Sequence, residues 1–248
     1  MMRRLLVVNS NTSMTATDRI AAACALHTSL DTHVDYVNAE AGPEGIDSLL
    51  DVAVSAIETV RVIARNRDAY DAFIVACGMD PGLDAARQVT DKPVLGIAEA
   101  AMLMACTLGA KFSILISMRS QTVAMEELVR HYGLISRLAS VVAIEMTTAE
   151  LIGGIDRLQE RLVSAARKAI DEDMAEVVVL TGSVMGGLEK EITRQTGVPA
   201  LSGMVCAIKL AENLIDLGVR TSHTYKYRTF KKLDRLIGYE DLQPVYSA

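Results

Sequence analysis

Cysteine offers the most reactive side chain near neutral pH, and this chain has four, Cys24, Cys77, Cys106 and Cys206. They lie far apart with no C-x-x-C pair, so neither a zinc site nor a disulfide framework is implied. Cys24, Cys106 and Cys206 sit in alanine-rich helical stretches and read as small core residues. Cys77 is different. The run Asp71-Ala-Phe-Ile-Val-Ala-Cys-Gly-Met-Asp-Pro-Gly-Leu83 reads as a buried strand that delivers a thiol into a turn before a helix. A thiol at a strand end facing a helix N-terminus is placed where a thiolate is stabilised, and it can act as nucleophile or general base.

Other polar groups are expected beside it. The first strand ends in Asn9-Ser-Asn-Thr-Ser13, five small polar residues before a helix. An N-cap needs only one of them, so Asn9, Asn11, Thr12 and Ser13 are candidates for holding an anionic or imide-like ligand. Ser117 ends another strand and is a candidate hydrogen-bond donor. The backbone N–H groups of Gly78 and Ser183 are candidates for an oxyanion. None of the histidines, His27, His33, His131 and His223, falls at a strand end, which argues against a Cys/His nucleophile pair. No His/Asp/Glu cluster has metal-ligand spacing, and Gly-x-Gly-x-x-Gly and Walker motifs are absent. The remaining chemistry is cofactor-free and metal-free proton transfer at a carbon acid beside a carboxylate or imide.

Periodicity supplies the elements that position these groups. Strands are expected over 4–9, Thr32–Asn38, Ala72–Cys77, Pro93–Ala98, Lys111–Ser117, Leu138–Ile144, Ala175–Thr181 and Pro199–Ser202. Helices are expected over about 14–29, Ser48–Arg65, 83–89, Glu99–Leu108, Gln121–His131, Thr148–Glu172, Leu188–Thr196 and Val205–Leu217. Strict alternation of this kind means parallel sheet and the α/β class.

The chain also repeats itself. An offset of 105 carries Cys77 to Gly182, Gly82 to Gly187 and Leu83 to Leu188, within Ala175-Glu-Val-Val-Val-Leu-Thr-Gly-Ser-Val-Met-Gly-Gly-Leu188. Lys92-Pro-Val-Leu-Gly96 likewise corresponds to Val198-Pro-Ala-Leu-Ser202. The expectation is two similar Rossmann-like lobes related by approximate two-fold symmetry, with strand ends meeting at one cleft. Residues 1–98 with about 205–222 are assigned to the first lobe, 99–204 to the second, and 223–248 to a C-terminal tail. Gly182 and Ser183 then fall opposite Cys77 and Gly78, and the loops Ala41–Gly45 and 146–150 set pocket size.

Half of the 248 residues are hydrophobic and the net charge is −6, which fits a well-packed protein and argues against nucleic acid as partner. No apolar run is long enough to span a membrane, and the short apolar stretch after Met1 reads as a strand rather than a leader. A cytoplasmic protein is expected. Thr221 to Lys232 is basic and aromatic, and reads as a tail packed across the surface or into a neighbouring subunit. Glu99 reads as a charge at a helix N-terminus, and Arg119 as either a carboxylate partner or a surface residue.

Val8-Asn-Ser-Asn-Thr-Ser13, Ala76-Cys-Gly-Met-Asp-Pro-Gly-Leu-Asp-Ala-Ala-Arg87 and Pro93-Val-Leu-Gly-Ile-Ala-Glu-Ala-Ala-Met102 together resemble the Asp/Glu/hydantoin racemase superfamily, nearest its hydantoin and allantoin racemase branch. The resemblance runs from about residue 4 to about 222. It implies two α/β lobes around the active site, no cofactor, assembly into homo-oligomers, and one catalytic cysteine per lobe flanking the substrate's α-carbon. Cys77 matches the first-lobe cysteine. The second-lobe pattern Gly-Cys-Ala-Gly-Met reads Thr181-Gly-Ser-Val-Met185 here, so Gly182 stands where the second thiol is expected.

Glycine carries no proton, and a serine hydroxyl is a far weaker acid than a thiol. Three outcomes remain open: racemisation or isomerisation with Cys77 as the single thiol, a one-cysteine decarboxylase, lyase or cis–trans isomerase, and an inactive two-lobed binding protein.

Overall fold

The computed structural model describes residues 2–228 and 238–242. Among the described residues, eight parallel strands form two sheets of four. The first contains β1 (Arg3–Asn9), β2 (Thr32–Asn38), β3 (Ala72–Val75) and β4 (Val94–Gly96). The second contains β5 (Phe112–Ile116), β6 (Leu138–Ala143), β7 (Val177–Leu180) and β8 (Ala200–Ser202). Their orders, β2-β1-β3-β4 and β6-β5-β7-β8, are the same order shifted by four strands, as a duplicated unit requires.

Strands β3 and β7 are apolar throughout, as is Leu5–Val8 of β1, because both sheet faces are covered. Along β1, Leu5 and Val7 enter a core shared by the two lobes, while Leu6 and Val8 enter a second core with Phe73, Val75, Ile63 and Leu83. That alternation is the two-residue period of a strand, read out as two separate cores. The first half of the chain supplies α1 (Met14–Ala25), α2 (Leu49–Asn66), α3 (Leu83–Val89) and α4 (Ile97–Ala105). The second half supplies α5 (Thr122–His131), α6 (Thr148–Gly153), α7 (Ile155–Asp173), α8 (Glu189–Thr196) and α9 (Gly203–Asp216).

Two helices cross between lobes. Helix α4 leaves the first sheet and packs on β7 and β8 of the second. Helix α9 leaves the second sheet and packs on β1, β3 and β4 of the first. The two lie against each other, and a Cβ on Gly203 would stand 2.7 Å from the carbonyl oxygen of Ile97. Only glycine permits that approach.

The single helix expected over Thr148–Glu172 is instead two. Gly153 and Gly154 interrupt it, and Gly154 takes φ −141° and ψ 78°, outside the helical region. Thr147 and Glu150 form a capping box that starts the short α6. The strand carrying Cys77 is also shorter than expected. β3 ends at Val75, and Cys77 lies in the following turn, where its carbonyl accepts the Asp80 N–H at 2.9 Å.

The segment after Arg220 packs on the first lobe. The Lys226 ammonium and the Tyr227 hydroxyl donate to Asp84 at the start of α3, at 2.7 and 2.8 Å. Further on, Leu242 joins the second core and Asp241 pairs with Arg61 and Arg65 of α2. Residues 229–237 and 243–248 of the expected tail lie outside the described residues.

Candidate active site

The carboxyl ends of β1, β3, β5 and β7 converge, as ligand sites in parallel sheets do. They enclose a cavity of about 70 Å³. Cys77, Gly78, Asn11, Ser117, Gly182 and Ser183 all line it, joined by residues from both lobes. Gly78 is fixed by contact across the lobes. A Cβ there would fall 2.6 Å from the carbonyl oxygen of Thr181, so the two strand ends abut backbone to backbone.

The polar run after β1 divides its work. Asn9 is buried and donates through Nδ2 to Asn11 Oδ1 at 2.8 Å, to Thr17 Oγ1 and to the Ser13 carbonyl. Ser13 caps α1 by accepting the Ala16 N–H. Thr12 donates its N–H and its hydroxyl to the Pro43 carbonyl. Asn9, Thr12 and Ser13 therefore build the loop and do not line the cavity, whereas Asn11 does. The Asn11 oxygen accepts from Asn9 and from the Ser13 N–H, which leaves its Nδ2 as the donor for a ligand.

Gln121, Thr148 and Thr181 also line the site and were not among the expected residues. Gln121 accepts the Ser117 hydroxyl at 3.3 Å and donates to the Ile46 carbonyl. Thr148 donates to Asp47 at 2.9 Å, so the loops after β2 and β6 meet over the cavity. Thr148 lies in the loop 146–150 expected to set pocket size, whereas Gln121 and Thr181 were marked only as the start of a helix and the end of a strand. Thr181 Oγ1 is taken up by the Leu115 carbonyl. Arg119 lies outside the cavity, 86 % exposed, and pairs with Glu145 at 3.5 Å. Glu99 pairs with Arg87 on α3.

The expected stabilised thiolate is not what the site produces. Burial pushes the Cys77 thiol up to about 12, and the carboxylates of Asp80 and Asp47 add to the effect, against one opposing N–H from Met79. Cys77 therefore rests as a neutral thiol. The N–H groups of Gly78 and Ser183 make no hydrogen bond among the described residues, so both remain open to an oxygen in the cavity. Among the described residues no charged side chain lines the cavity, although apolar Ile46, Met79, Met125, Leu151 and Val184 do. Such a lining suits a small polar but uncharged ligand, because an unpaired charge would lose its hydration there. Among the described residues, no group of three or more His, Cys, Asp or Glu side chains is placed to hold a metal ion.

The comparisons with known proteins agree with this geometry. The family model for Asp/Glu/hydantoin racemase matches residues 5–211. A hydantoin racemase from Pseudomonas sp. (strain NS671) is 34% identical over 227 residues, covering 90% of this chain and 91% of that protein. The structure of an allantoin racemase from Klebsiella pneumoniae superposes with a TM-score of 0.92 at 31% identity, covering 97% of this chain and 98% of the other. The maleate isomerase Iso from Pseudomonas putida S16 shares the fold, with a TM-score of 0.63 at 17% identity over 88% of this chain and 93% of the other. With the family model spanning both lobes and the strand ends of both lobes enclosing one cavity, the chain belongs to the Asp/Glu/hydantoin racemase family.

Proposed function

We propose that this chain is a cofactor-independent enzyme of racemase type whose elementary step is proton transfer at a carbon acid in a hydantoin or ureide ring, with Cys77 as its acid–base group. The carrying observation is the cavity itself: one thiol, two open backbone N–H groups and no charged lining residue. The hydantoin and allantoin racemases to which the chain is similar support the same substrate class.

In this reading the ring carbonyl accepts from the N–H groups of Gly78 and Ser183. The Asn11 amide and the Ser117 hydroxyl orient the ring. Loss of the α-proton then places an electron pair on a carbonyl oxygen that already has donors, where it is most strongly stabilised. The thiol must first release its proton to solvent.

The test is α-proton exchange of 5-substituted hydantoins in D₂O, followed by proton NMR. Exchange well above the buffer rate is expected for the wild type and is expected to vanish in Cys77→Ser, with thermal stabilisation by the ligand retained. Equal exchange in the two proteins rejects Cys77. A ligand that stabilises the protein and is never altered points to a binding protein instead.

The neutral resting state of Cys77 favours a second reading. A protonated thiol is ready to donate, which fits protonation of a carbanion left by loss of carbon dioxide, the lyase outcome. Carbon dioxide release from a substituted malonic acid, whose carboxylate charge would have to be met by the Gly78 and Ser183 N–H groups, would support that reading over the first.

A further inference from the structure

In a duplicated fold, the position of Cys77 in one lobe is the position of Gly182 in the other. Both residues line the cavity. The space for a side chain at 182 is not vacant. A Cβ there would stand 2.8 Å from both Cγ and Sδ of Met185 and 2.9 Å from its Cε. Met185 is fully buried, and it follows Gly182 within the short 3₁₀ turn Ser183–Met185, where its N–H donates to the Gly182 carbonyl at 3.0 Å. The thioether thus fills the volume that a second thiol would need. The same offset of 105 that relates Cys77 to Gly182 relates Asp80 to Met185. Where the first lobe carries a carboxylate beside its thiol, the second carries an apolar chain in place of one.

On that side the cavity is lined by Thr181, Gly182, Ser183 and Val184. The Thr181 hydroxyl is already donated to a carbonyl, and a serine hydroxyl does not exchange protons with carbon at neutral pH without a base. No thiol, carboxylate or imidazole is present on that wall. We propose that Met185, packed over Gly182, makes the site one-sided, so that protons leave and enter the α-carbon only on the Cys77 face.

The inference rests on the reading of Cys77 as the acid–base group. In the step it describes, the Cys77 thiolate takes the α-proton and becomes a thiol, while the C–H electron pair moves onto the ring carbonyl oxygen. The sulfur-bound proton exchanges with solvent. Return of a solvent-derived proton from the same sulfur reforms the C–H bond on the same face and regenerates the thiolate. Configuration is retained, and only the enantiomer whose α-hydrogen faces Cys77 reacts.

The experiment incubates each enantiomer of a 5-substituted hydantoin separately with the wild-type protein in D₂O. Proton NMR follows deuterium uptake and chiral chromatography follows inversion, both corrected for the buffer reaction. Deuterium is expected to enter one enantiomer at least tenfold faster than the other, with no inversion beyond buffer. Exchange accompanied by equal inversion overturns the one-sided site while leaving Cys77 chemistry standing. No exchange above a Cys77→Ala control overturns the underlying reading itself.

The role of Met185 is tested separately with Gly182→Cys/Met185→Ala, which places a second thiol and removes the side chain in its way. This variant is expected to invert the reactive enantiomer as fast as it exchanges it. Gly182→Cys/Met185→Leu, which keeps the space filled, is the fold control and is expected to invert more slowly. If the alanine variant is folded by circular dichroism and still exchanges without inversion, Met185 is not what closes the second face.

Discussion

The Tyr132 hydroxyl donates to Oδ2 of Asp80 across 2.7 Å, and so ties the end of α5 in the second lobe to the Cys77 turn in the first. Asp80 also accepts the N–H groups of Ala98 and Glu99 at the start of α4, at 3.1 and 2.9 Å. Its backbone sits at φ 44°, an arrangement that aspartate tolerates better than most residues. Gly96 is needed beneath it, because a Cβ there would run into the carboxylate. One side chain therefore holds the turn bearing the thiol, a helix N-terminus and the opposite lobe.

Tyr132→Phe removes the contact across the lobes and leaves the other two. A hydrogen bond to a charged group contributes roughly 1.5–3 kcal/mol. Urea denaturation of the variant should show a loss in that range with an unchanged m-value. A loss below about 0.5 kcal/mol, the usual scatter of surface changes, would mean that the tie does not hold the lobes.

Burial raises the Asp80 pKa from 3.8 to about 6, outweighing the three donors. The folded state therefore binds this proton more tightly than the unfolded chain does. The resulting stability is fully present below about 3.8 and is lost as pH rises through about 6. A shift of about two units corresponds to roughly 3 kcal/mol. Asp80→Asn carries no titrating proton, though it gives up an acceptor at every pH. The stability of the wild type relative to this variant should fall as pH rises from 4 to 7, and parallel stability curves would contradict the assignment.

The raised Cys77 pKa governs its reactivity, because only the thiolate attacks an alkylating agent. Iodoacetamide labelling of Cys77, read by peptide mass spectrometry, should be slow near neutrality. Its rate should climb about tenfold per pH unit between 7 and 10. A plateau beginning near pH 8 would instead place the thiol near its ordinary value.

Gly78→Ala drives a methyl group into the Thr181 carbonyl, where neither backbone has room to move independently. Overpacking of this kind costs about 1–3 kcal/mol. Because the strain falls between the two walls of the cavity, turnover should drop more than tenfold even at temperatures where the variant stays folded. Wild-type turnover in Gly78→Ala would show that the lobes separate freely.

Much of the scaffold was legible because its signals are local. The two-residue and 3.6-residue periods marked the strands and helices, and the repeat of Cys77 at Gly182 marked the symmetry. The paired glycines at 153–154 were a local signal too, but the amphipathic pattern continues through them and masked the break. The polar run was expected to meet a ligand through at least some of its residues, and Asn11 lines the cavity. Which of Asn9, Asn11, Thr12 and Ser13 meets the cavity depends on hydrogen bonds to Thr17 and Pro43, which no spacing encodes. Gln121 and Thr148 enter the site because a loop from one lobe closes on a loop from the other. The Cys77 turn was expected to favour a thiolate, but burial by everything packed around it disfavours the charged form, and Asp80 and Asp47, the latter from a distant loop, add to that.

The exchange of α4 and α9 bears on where this chain came from. Two half-length polypeptides, each lending its terminal helix to the other's sheet, would make a swapped dimer with the same plan. In such a dimer every substitution appears twice, so the two copies of a position cannot differ. Joining the copies end to end lifts that coupling. Positions 77 and 182 can then differ, as cysteine and glycine do here.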